Sequence, residues 1–264
     1  MIVTSYFNPC GFQNLEKNLL RSMQRFQNLR CIELVYPGHT PVVGDIVVSG
    51  SEQNLWLWQK ECLYELLPKG EPIIYLDCDL FFHEPDWEQK IYAALEQYDI
   101  VQGFRQCHWL DSKGRVEKTK QTVMAAEDFP NWPLTHPGFV WAFNPEAAKK
   151  LGWYKFHSTG GGDTALCLAL FQKANFLHPL QDWERYFESA VGLKVGYADL
   201  EVSHIWHGSY KNRQYSSRIA LTKGADDHIY LDHNGLLAWK NTAPVEVVSG
   251  FKYYFYGRKE DKDD

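Results

Sequence analysis

The chain has 264 residues, 45% of them hydrophobic and 15% aromatic, which is enough to bury a sizeable core and excludes a disordered protein. Its formal net charge of -6 argues against a protein that coats nucleic acid nonspecifically, although a local basic patch is compatible with it. The sequence has no apolar run of about 18 residues to cross a bilayer and no secretory-type start. The six cysteines form no CxxC pair, which fits reduced thiols, so we expect a cytoplasmic protein.

Short apolar runs alternate with helical stretches through the first 105 residues, which predicts an α/β fold with a mostly parallel sheet. The opening "MIVTSYF" predicts a first strand, and residues 14–26 predict an amphipathic helix because their apolar side chains recur at spacings of three and four. The pattern then predicts, in order, a strand ("RCIELVYPG"), a helix ("LWLWQKECLYELLPKG"), a strand ("EPIIYLDCD"), a helix ("WEQKIYAALEQY") and a strand ("DIVQGFR"). In such folds, ligands bind outside the carboxyl ends of the strands.

Two acids stand where one of these buried strands ends, in "IIYLDCDLFF". Asp77 and Asp79 are two residues apart, so in extended chain their carboxylates point to the same side and can reach one hard cation. A cation held by only one or two carboxylates keeps open positions for substrate phosphates. The alternative is a turn whose acids cap the next segment or face water, and a bare DxD pattern does not exclude it.

The second half of the sequence begins with a polar, irregular stretch at 106–137, which indicates a binding loop or lid. A strand ("GFVWAFN") and a helix ("DTALCLALFQ") are predicted after it, and the closing "YYFYGRKEDKDD" predicts a solvated charged tail. We therefore expect one domain over 1–258 and a tail at 259–264, with the loop at 106–137 dividing the domain into two halves.

Three glycines and an acid, residues 160–163, precede the predicted helix "DTALCLALFQ". The glycines remove side chains from the backbone where a helix begins, so a ligand can approach the main chain closely. Asp163 is then held at the helix start. A purely structural N-cap is the alternative role for Asp163.

Several segments together resemble the glycosyltransferases of the GT-A fold, in which a DxD motif ends a central strand and holds a divalent metal on the donor diphosphate. In chain order these segments are "LWLWQKECLYELLP", "IIYLDCDLFFHEPDW", "HPGFVWAFNPEAAKKLGWY", "GGGDTALCLAL", "HIWHGSYKNRQYSSR" and "DHIYLDHNGLLAWK". They look like a group of bacterial and viral GT-A proteins. The resemblance spans nearly the whole chain and implies a single GT-A-like domain, but it does not name the acceptor. It implies a nucleotide-binding half at 1–105, an acceptor loop or lid at 106–137 and an acceptor and metal-completing half at 138–258.

The resemblance implies roles for residues of the first half. The strand end that lies under the nucleotide base and ribose corresponds to Thr4, Ser5, Tyr6 and Asn8. Lys60, in "WQKE", would meet a phosphate or a sugar hydroxyl. Asp77 matches the acid that touches ribose and metal-bound water, and Asp79 matches the direct metal ligand.

The resemblance also implies roles in the second half. The segment with Gly161, Gly162 and Asp163 is similar to the Gly-rich acidic motif with which β-1,4-galactosyltransferases grip donor and acceptor, although that motif has doubled acids. Asp163 would then be the general base of an inverting transfer. His204 or His207 would complete the metal shell, with His204 favoured, and imidazole beside carboxylate suits manganese better than magnesium. The cations that would neutralise the departing nucleotide are Lys211, Arg213 and Arg218.

The sequence thus predicts a glycosyltransferase that uses Mn²⁺ or Mg²⁺ and a nucleotide-sugar donor, with UDP-sugars favoured. The acceptor would be a saccharide, a lipid-linked sugar or modified DNA, in the cytoplasm of a bacterial or virus-infected cell. Three alternatives stay open: transfer to hydroxymethylated bases of viral DNA, a metal-dependent sugar-nucleotide hydrolase or phosphoesterase, and a protein that binds nucleotide-sugars without turnover.

Overall fold

The computed structural model of the chain describes residues 1–126, 131, 133–173, 180–208, 212 and 215–261. The strands within these ranges are β1 (Ile2–Tyr6), β2 (Leu29–Val35), β3 (Ile46–Ser49), β4 (Ile73–Leu76), β5 (Leu80–Phe82), β6 (Ile100–Gln102), β7 (Gln106–Leu110), β8 (Val116–Thr122), β9 (Thr135–His136), β10 (Val140–Phe143), β11 (Val195–Tyr197), β12 (Glu201–His204), β13 (Ile229–Leu231) and β14 (Leu237–Trp239). The α-helices are α1 (Gln13–Arg25), α2 (Lys60–Glu65), α3 (Trp87–Leu95), α4 (Pro145–Lys150), α5 (Gly162–Leu170), α6 (Trp183–Ser189), α7 (Tyr215–Ala225) and α8 (Val245–Gly257).

A seven-stranded sheet in the order β11-β6-β10-β4-β1-β2-β3 forms the centre of the domain. β10 runs antiparallel to both of its neighbours, whereas the other described pairs of this sheet are parallel. Helices flank the sheet, so the predicted α/β architecture with a mixed, mostly parallel sheet is confirmed. No helix of the described residues is long and apolar enough to cross a membrane.

The parallel pairing of β1 with β4 positions the candidate site. Ile2 pairs with Ile74 and Val3 with Tyr75, so the two strands end side by side. All four residues of β4 are buried, as expected for a continuous apolar run at the centre of a parallel sheet. The Ser22 hydroxyl of α1 donates to the Cys78 carbonyl at 2.6 Å and so ties the turn after β4 to α1.

The predicted irregular loop at 106–137 is wrong for most of its length. Its residues supply three strands of a second sheet, in the order β5-β12-β7-β8-β9, and β7 and β8 form an antiparallel pair. The sequence "VEKTKQT" of β8 is mostly exposed and polar, so it carries no alternation of apolar and polar residues that would mark a strand. Residues 127–130 and 132 lie outside the described residues.

The expected solvated tail is wrong at Glu260, whereas Lys259 and Asp261 are exposed. Glu260 is only 1% exposed, and the side chain of Asp261 accepts hydrogen bonds from the backbone N–H groups of Gln13 and Asn14 at the start of α1. The burial of Glu260 and these hydrogen bonds hold the stretch against the domain. Residues 262–264 of the predicted tail lie outside the described residues.

Candidate active site

A pocket of about 500 Å³ lies at the carboxyl ends of β1 and β4. Its walls come from the segment after β1, the start of α2, the turn after β4, the second sheet, the start of α5 and the segment after α8. The charged and imidazole side chains that line it are Lys60, Glu61, Asp77, Asp79, Lys120, His136, Asp163, His204, His207, Arg218, Arg258 and Glu260. These side chains divide into two groups that share one cavity.

The first group could hold a metal ion. Asp79, His204 and His207 are all buried, and one ligand atom from each lies within 4.8 Å of the others. Asp79 Oδ2 is 2.8 Å from His207 Nε2 and 3.4 Å from His204 Nε2, and the two Nε2 atoms are 3.2 Å apart. Pairing of β5 with β12 produces this proximity, because His204 stands opposite Leu80 and the Ile205 N–H donates to the Asp79 carbonyl at 2.7 Å.

The chemistry of this group fits a divalent cation. Asp79 Oδ1 is buried and has no hydrogen-bond partner among the described residues, an expensive state for a carboxylate oxygen unless a cation meets it. Burial alone would raise the pKa of Asp79, but His204 and His207 hold it well below its usual range, so the carboxylate is charged. Two imidazole nitrogens with one carboxylate oxygen form a donor set for a borderline ion such as Mn²⁺.

The second group has a lysine at its centre. Lys60 Nζ, at the first residue of α2, lies 2.7 Å from Asp77 Oδ1 and 3.0 Å from Asp163 Oδ2. Burial would lower the pKa of Lys60, but Asp163 and Asp77 raise it well above its usual range. Burial raises the pKa of Asp77 to about 6 despite Lys60, and burial raises that of the adjoining Glu61 to about 8.

The two acids of the DxD pattern therefore belong to different groups. β4 ends at Leu76, so Asp77, Cys78 and Asp79 lie in a turn, and the alternation expected of extended chain does not apply to them. Asp77 faces Lys60 and is not part of the metal-capable group found in the described residues. That both carboxylates face one cation therefore stays a prediction, and the observed partner of Asp77 is Lys60.

The glycine-rich segment places Asp163 in the pocket wall. Gly160 and Gly161 have φ values of +85° and +121°, a region that L side chains rarely adopt, and a Cβ on Gly162 would lie 2.3 Å from Glu61 Cγ. The N-cap of α5 is Gly161, so the alternative role of Asp163 as N-cap is wrong. Asp163 Oδ1 is buried with no hydrogen-bond partner among the described residues.

An aromatic wall supports the histidines from the second sheet and β10. Phe139 stacks on His204, with ring centroids 4.9 Å apart and planes at 16°, and Trp109 lies 4.7 Å from the same imidazole. Phe139 has a φ of +83°, a strained conformation for a bulky residue of the kind that clusters at functional sites. Trp141, in β10, is 1% exposed and lies in the core.

The structure brings most of the predicted donor-binding residues to the pocket. Ser5, Tyr6, Asn8, Lys60, Asp77, Gly161 and Arg218 line it, with the metal candidates Asp79, His204 and His207 and the base candidate Asp163. Thr4 is fully buried within β1 and does not line the pocket, and Gly162 faces Glu61 instead. Lys211 and Arg213 lie outside the described residues.

Among the residues of the pocket wall that were not predicted as parts of the site from the sequence are Trp58, Glu61, Arg258 and Glu260. Trp58 packs edge-on against Phe7 at 5.0 Å, and the Arg258 guanidinium lies 5.0 Å from the Trp58 ring centroid. Trp58 and Glu61 flank the predicted Lys60, which is the only sequence signal that could have pointed to them. Arg258 and Glu260 stand in a charged stretch with no signal of burial.

Comparisons with known proteins give distant structural likenesses. No protein-family model matches the chain, and no curated protein matches it. Glucosyl-3-phosphoglycerate synthase from Mycobacterium tuberculosis, solved with Mg²⁺ and UDP, is 14% identical over 85% of this chain and 78% of its own, with a TM-score of 0.43. Staphylococcus aureus TarS, residues 1–349, is 7% identical over 97% and 70% of the two chains, with a TM-score of 0.41. The inositol-1-phosphate CTP transferase from T. maritima is 12% identical over 77% and 87%, with a TM-score of 0.38.

Proposed function

We propose that the chain is a metal-dependent glycosyltransferase that moves a sugar from a nucleotide-diphosphate sugar, with a UDP-sugar favoured, to an acceptor hydroxyl. The observation that carries this proposal is the buried group of Asp79, His204 and His207 at the carboxyl end of the central sheet. This group has an unpartnered carboxylate oxygen and faces a pocket of about 500 Å³, large enough for a nucleotide-sized ligand. The site thus combines a cation's donor set with room for its substrate.

Asp79, His204 and His207 would hold Mn²⁺ or Mg²⁺, and their imidazole nitrogens favour Mn²⁺. When bound, the ion supplies Lewis-acid stabilisation of the negative charge on the leaving diphosphate. Ser5, Tyr6 and Asn8 would bind the nucleoside from the segment at the end of β1.

Cationic side chains of the chain complement that charge. Arg218 and Arg258 line the pocket and would bind diphosphate oxygens, and Lys211 and Arg213 stay predicted contributors to the same task. Lys60 would serve a different purpose, because it bonds both Asp77 and Asp163 and so fixes the carboxylate nearest the transfer step.

Asp163 is the proposed general base. Lys60 holds its Oδ2 at 3.0 Å, while its Oδ1 is buried in the pocket wall without a hydrogen-bond partner among the described residues and can accept the acceptor's hydroxyl proton. Direct attack by that hydroxyl would invert the anomeric carbon.

A thermal-shift panel of nucleotide-sugars with and without Mn²⁺ tests the binding half of the proposal. A UDP-sugar at 100 times its Kd should add about 2.7 kcal/mol of apparent stability when Mn²⁺ is present and none after chelation. Asp79→Ala should abolish this shift and lower transfer by about 1,000-fold or more, since it removes a charged metal ligand. Asp86→Ala, at an exposed aspartate, is the matched control. Stabilisation that survives chelator would overturn the metal assignment.

The product distinguishes the base from its alternatives. Asp163→Asn should retain donor binding and lose nearly all transfer, and proton NMR of the wild-type product should show the anomeric configuration opposite to the donor's. A product with the donor's configuration would reduce Asp163 to a sugar-binding residue. UDP release at the same rate with and without any acceptor would indicate a hydrolase, and tight donor binding without turnover would indicate a binding protein.

A further inference from the structure

The segment that follows α8, residues 258–261, is anchored to the rim of the pocket. The Asp261 carboxylate accepts hydrogen bonds from the Gln13 and Asn14 N–H groups at 2.9 and 2.7 Å. The Asn14 side-chain amide donates to the Glu260 carbonyl at 3.0 Å. The start of α1 therefore fixes the backbone of Glu260 and Asp261.

The loop after β12 makes room for this segment. Gly208 has a φ of +101°, and a Cβ there would lie 3.0 Å from Glu260 Cα, so a side chain at this position would meet the backbone of the segment. The close approach brings Glu260 next to His207, one residue before Gly208 in the chain. Position 208 requires a glycine for two reasons: its φ is positive, and the atom that a side chain would meet belongs to the backbone of Glu260.

The buried Glu260 carboxylate joins two pocket side chains. Its Oε1 lies 2.6 Å from Arg258 Nε, and its Oε2 accepts a hydrogen bond from His207 Nδ1. The opposite ring nitrogen, His207 Nε2, lies 2.8 Å from Asp79 Oδ2. A carboxylate accepts hydrogen bonds and does not donate them, so Glu260 holds a proton on Nδ1. Nε2 also faces a carboxylate, and a cation bound between Nε2 and Asp79 Oδ2 would take the place of a proton on Nε2.

We propose that Glu260 is a positioning residue of the metal site: by holding His207 Nδ1–H, it fixes the tautomer and ring orientation in which Nε2 can bind the cation together with Asp79. This inference rests on the metal of the proposed function, not on the sugar chemistry. A carboxylate behind a metal-binding imidazole raises its basicity, and removal of such a partner costs about 10- to 100-fold in metal affinity.

The other histidine of the group is held differently. His204 packs against the rings of Phe139 and Trp109 and has its Nε2 3.4 Å from Asp79 Oδ2. The proposal therefore makes His207 the histidine whose metal affinity depends on residues 258–261. In charge terms, Asp79 and Glu260 bring two negative charges against one positive charge on Arg258, which leaves the buried site complementary to a dication.

Mn²⁺ affinity of the full chain without nucleotide, measured by isothermal titration and by Mn²⁺ electron paramagnetic resonance, tests the proposal. Glu260→Ala should raise the Kd for Mn²⁺ by about 10- to 100-fold, and Glu260→Gln, which keeps a neutral acceptor, should raise it less. Asp261→Ala is the matched control, because it loosens the same segment without touching His207. It should lower Tm and leave the Kd within about twofold of wild type, by the same reasoning.

A spectroscopic readout separates positioning from mere support of the fold. In the metal-free protein, the His207 Nδ1–H proton should give a downfield ¹H resonance that disappears in Glu260→Ala and persists in Asp261→Ala. If the wild-type protein binds Mn²⁺ and both Glu260→Gln and Glu260→Ala bind it with an unchanged Kd, this inference is overturned and the proposed function stands. A wild-type protein that binds no Mn²⁺ would overturn both. If Glu260→Ala does not fold, an unchanged Kd in Glu260→Gln alone overturns the inference.

Discussion

Two groups of buried charges share one pocket, and they differ in the source of their positive charge. The lysine group, formed by Lys60, Glu61, Asp77 and Asp163, has a cation of its own within 2.7 and 3.0 Å of two carboxylates. The metal-capable group, formed by Asp79, His204 and His207, instead leaves one carboxylate oxygen buried without a partner among the described residues. The chain itself supplies the positive charge of the lysine group, whereas the metal-capable group is suited to a cation from solution.

The difference shows that the two acids of a DxD pattern can have separate tasks. Asp77 is oriented by a lysine that also holds Asp163, whereas Asp79 is oriented by the backbone bond to Ile205 and by two imidazoles. The lysine group then serves as a rigid support for the candidate base, and the metal-capable group serves the leaving diphosphate. Substitutions that disturb one group and spare the other test this division.

Lys60→Met should have the largest effect on stability. It removes the cation from a buried pair and leaves neighbouring carboxylates uncompensated, which costs about 3–5 kcal/mol of unfolding free energy. Lys90→Met is the matched control, because the pair that Lys90 forms with Asp86 is exposed and is worth about 0.5 kcal/mol or less. Urea unfolding at pH 7 measures both.

Mn²⁺ titration of the same Lys60→Met protein tests the division itself. We expect its Mn²⁺ affinity to stay within a few-fold of wild type, since Lys60 makes no described contact with Asp79, His204 or His207. The division into two separate groups would be contradicted if the unfolding free energy fell by less than about 1 kcal/mol, or if a folded variant lost Mn²⁺ binding completely.

Local sequence patterns were sufficient to predict much of the central sheet. Helix α1 is long enough for its periodicity to be visible in a single sequence, and the strands β1, β4 and β10 are visible because they are strongly apolar. β8 was missed because its exposed, lysine-containing strand has no apolar face. β7 and β8 form a hairpin around the turn at 111–115, so β8 is held as a strand by its pairing with β7 and not by an apolar face of its own.

The candidate site was predictable where residue type and position in the fold coincide. Asp79 follows a buried strand, and the resemblance placed His204 or His207 beside it as a further metal ligand. The structure brings the three side chains together. Glu260 was not predictable, because its contact with His207 joins residues that are 53 positions apart in the chain. A charged stretch viewed alone indicates solvent, and only tertiary contacts reverse that expectation.

Glu61→Gln should change how stability depends on pH. Burial raises the pKa of Glu61 from 4.5 to about 8, so the folded state favours the neutral carboxyl group. The resulting stability is fully present below pH 4.5 and is lost as the pH rises through about 8. The glutamine variant is neutral throughout, so relative to wild type it should gain about 3 kcal/mol between pH 4.5 and pH 7. Urea unfolding of both proteins across this range measures the gain, and parallel stability curves would show that Glu61 is ionised in the fold.

Gly162→Ala should give the smallest of these effects, and it tests how tightly the lysine group is packed. A Cβ at position 162 would lie 2.3 Å from Glu61 Cγ, and Glu61 is only 2% exposed, so the side chain has little space to retreat. Such overpacking costs about 2 kcal/mol, which exceeds the gain of up to about 1 kcal/mol that alanine brings to a helix.

Gly224→Ala supplies the control, because position 224 lies in α7 with no atom near its added Cβ and should show only the helix gain. Since the clash falls on Glu61 and not on Asp79, Gly162→Ala should lower the unfolding free energy while its Mn²⁺ affinity stays within about twofold of wild type. An alanine variant as stable as Gly224→Ala would mean that Glu61 moves aside freely. The lysine group would then lack the rigidity that its proposed support of Asp163 requires.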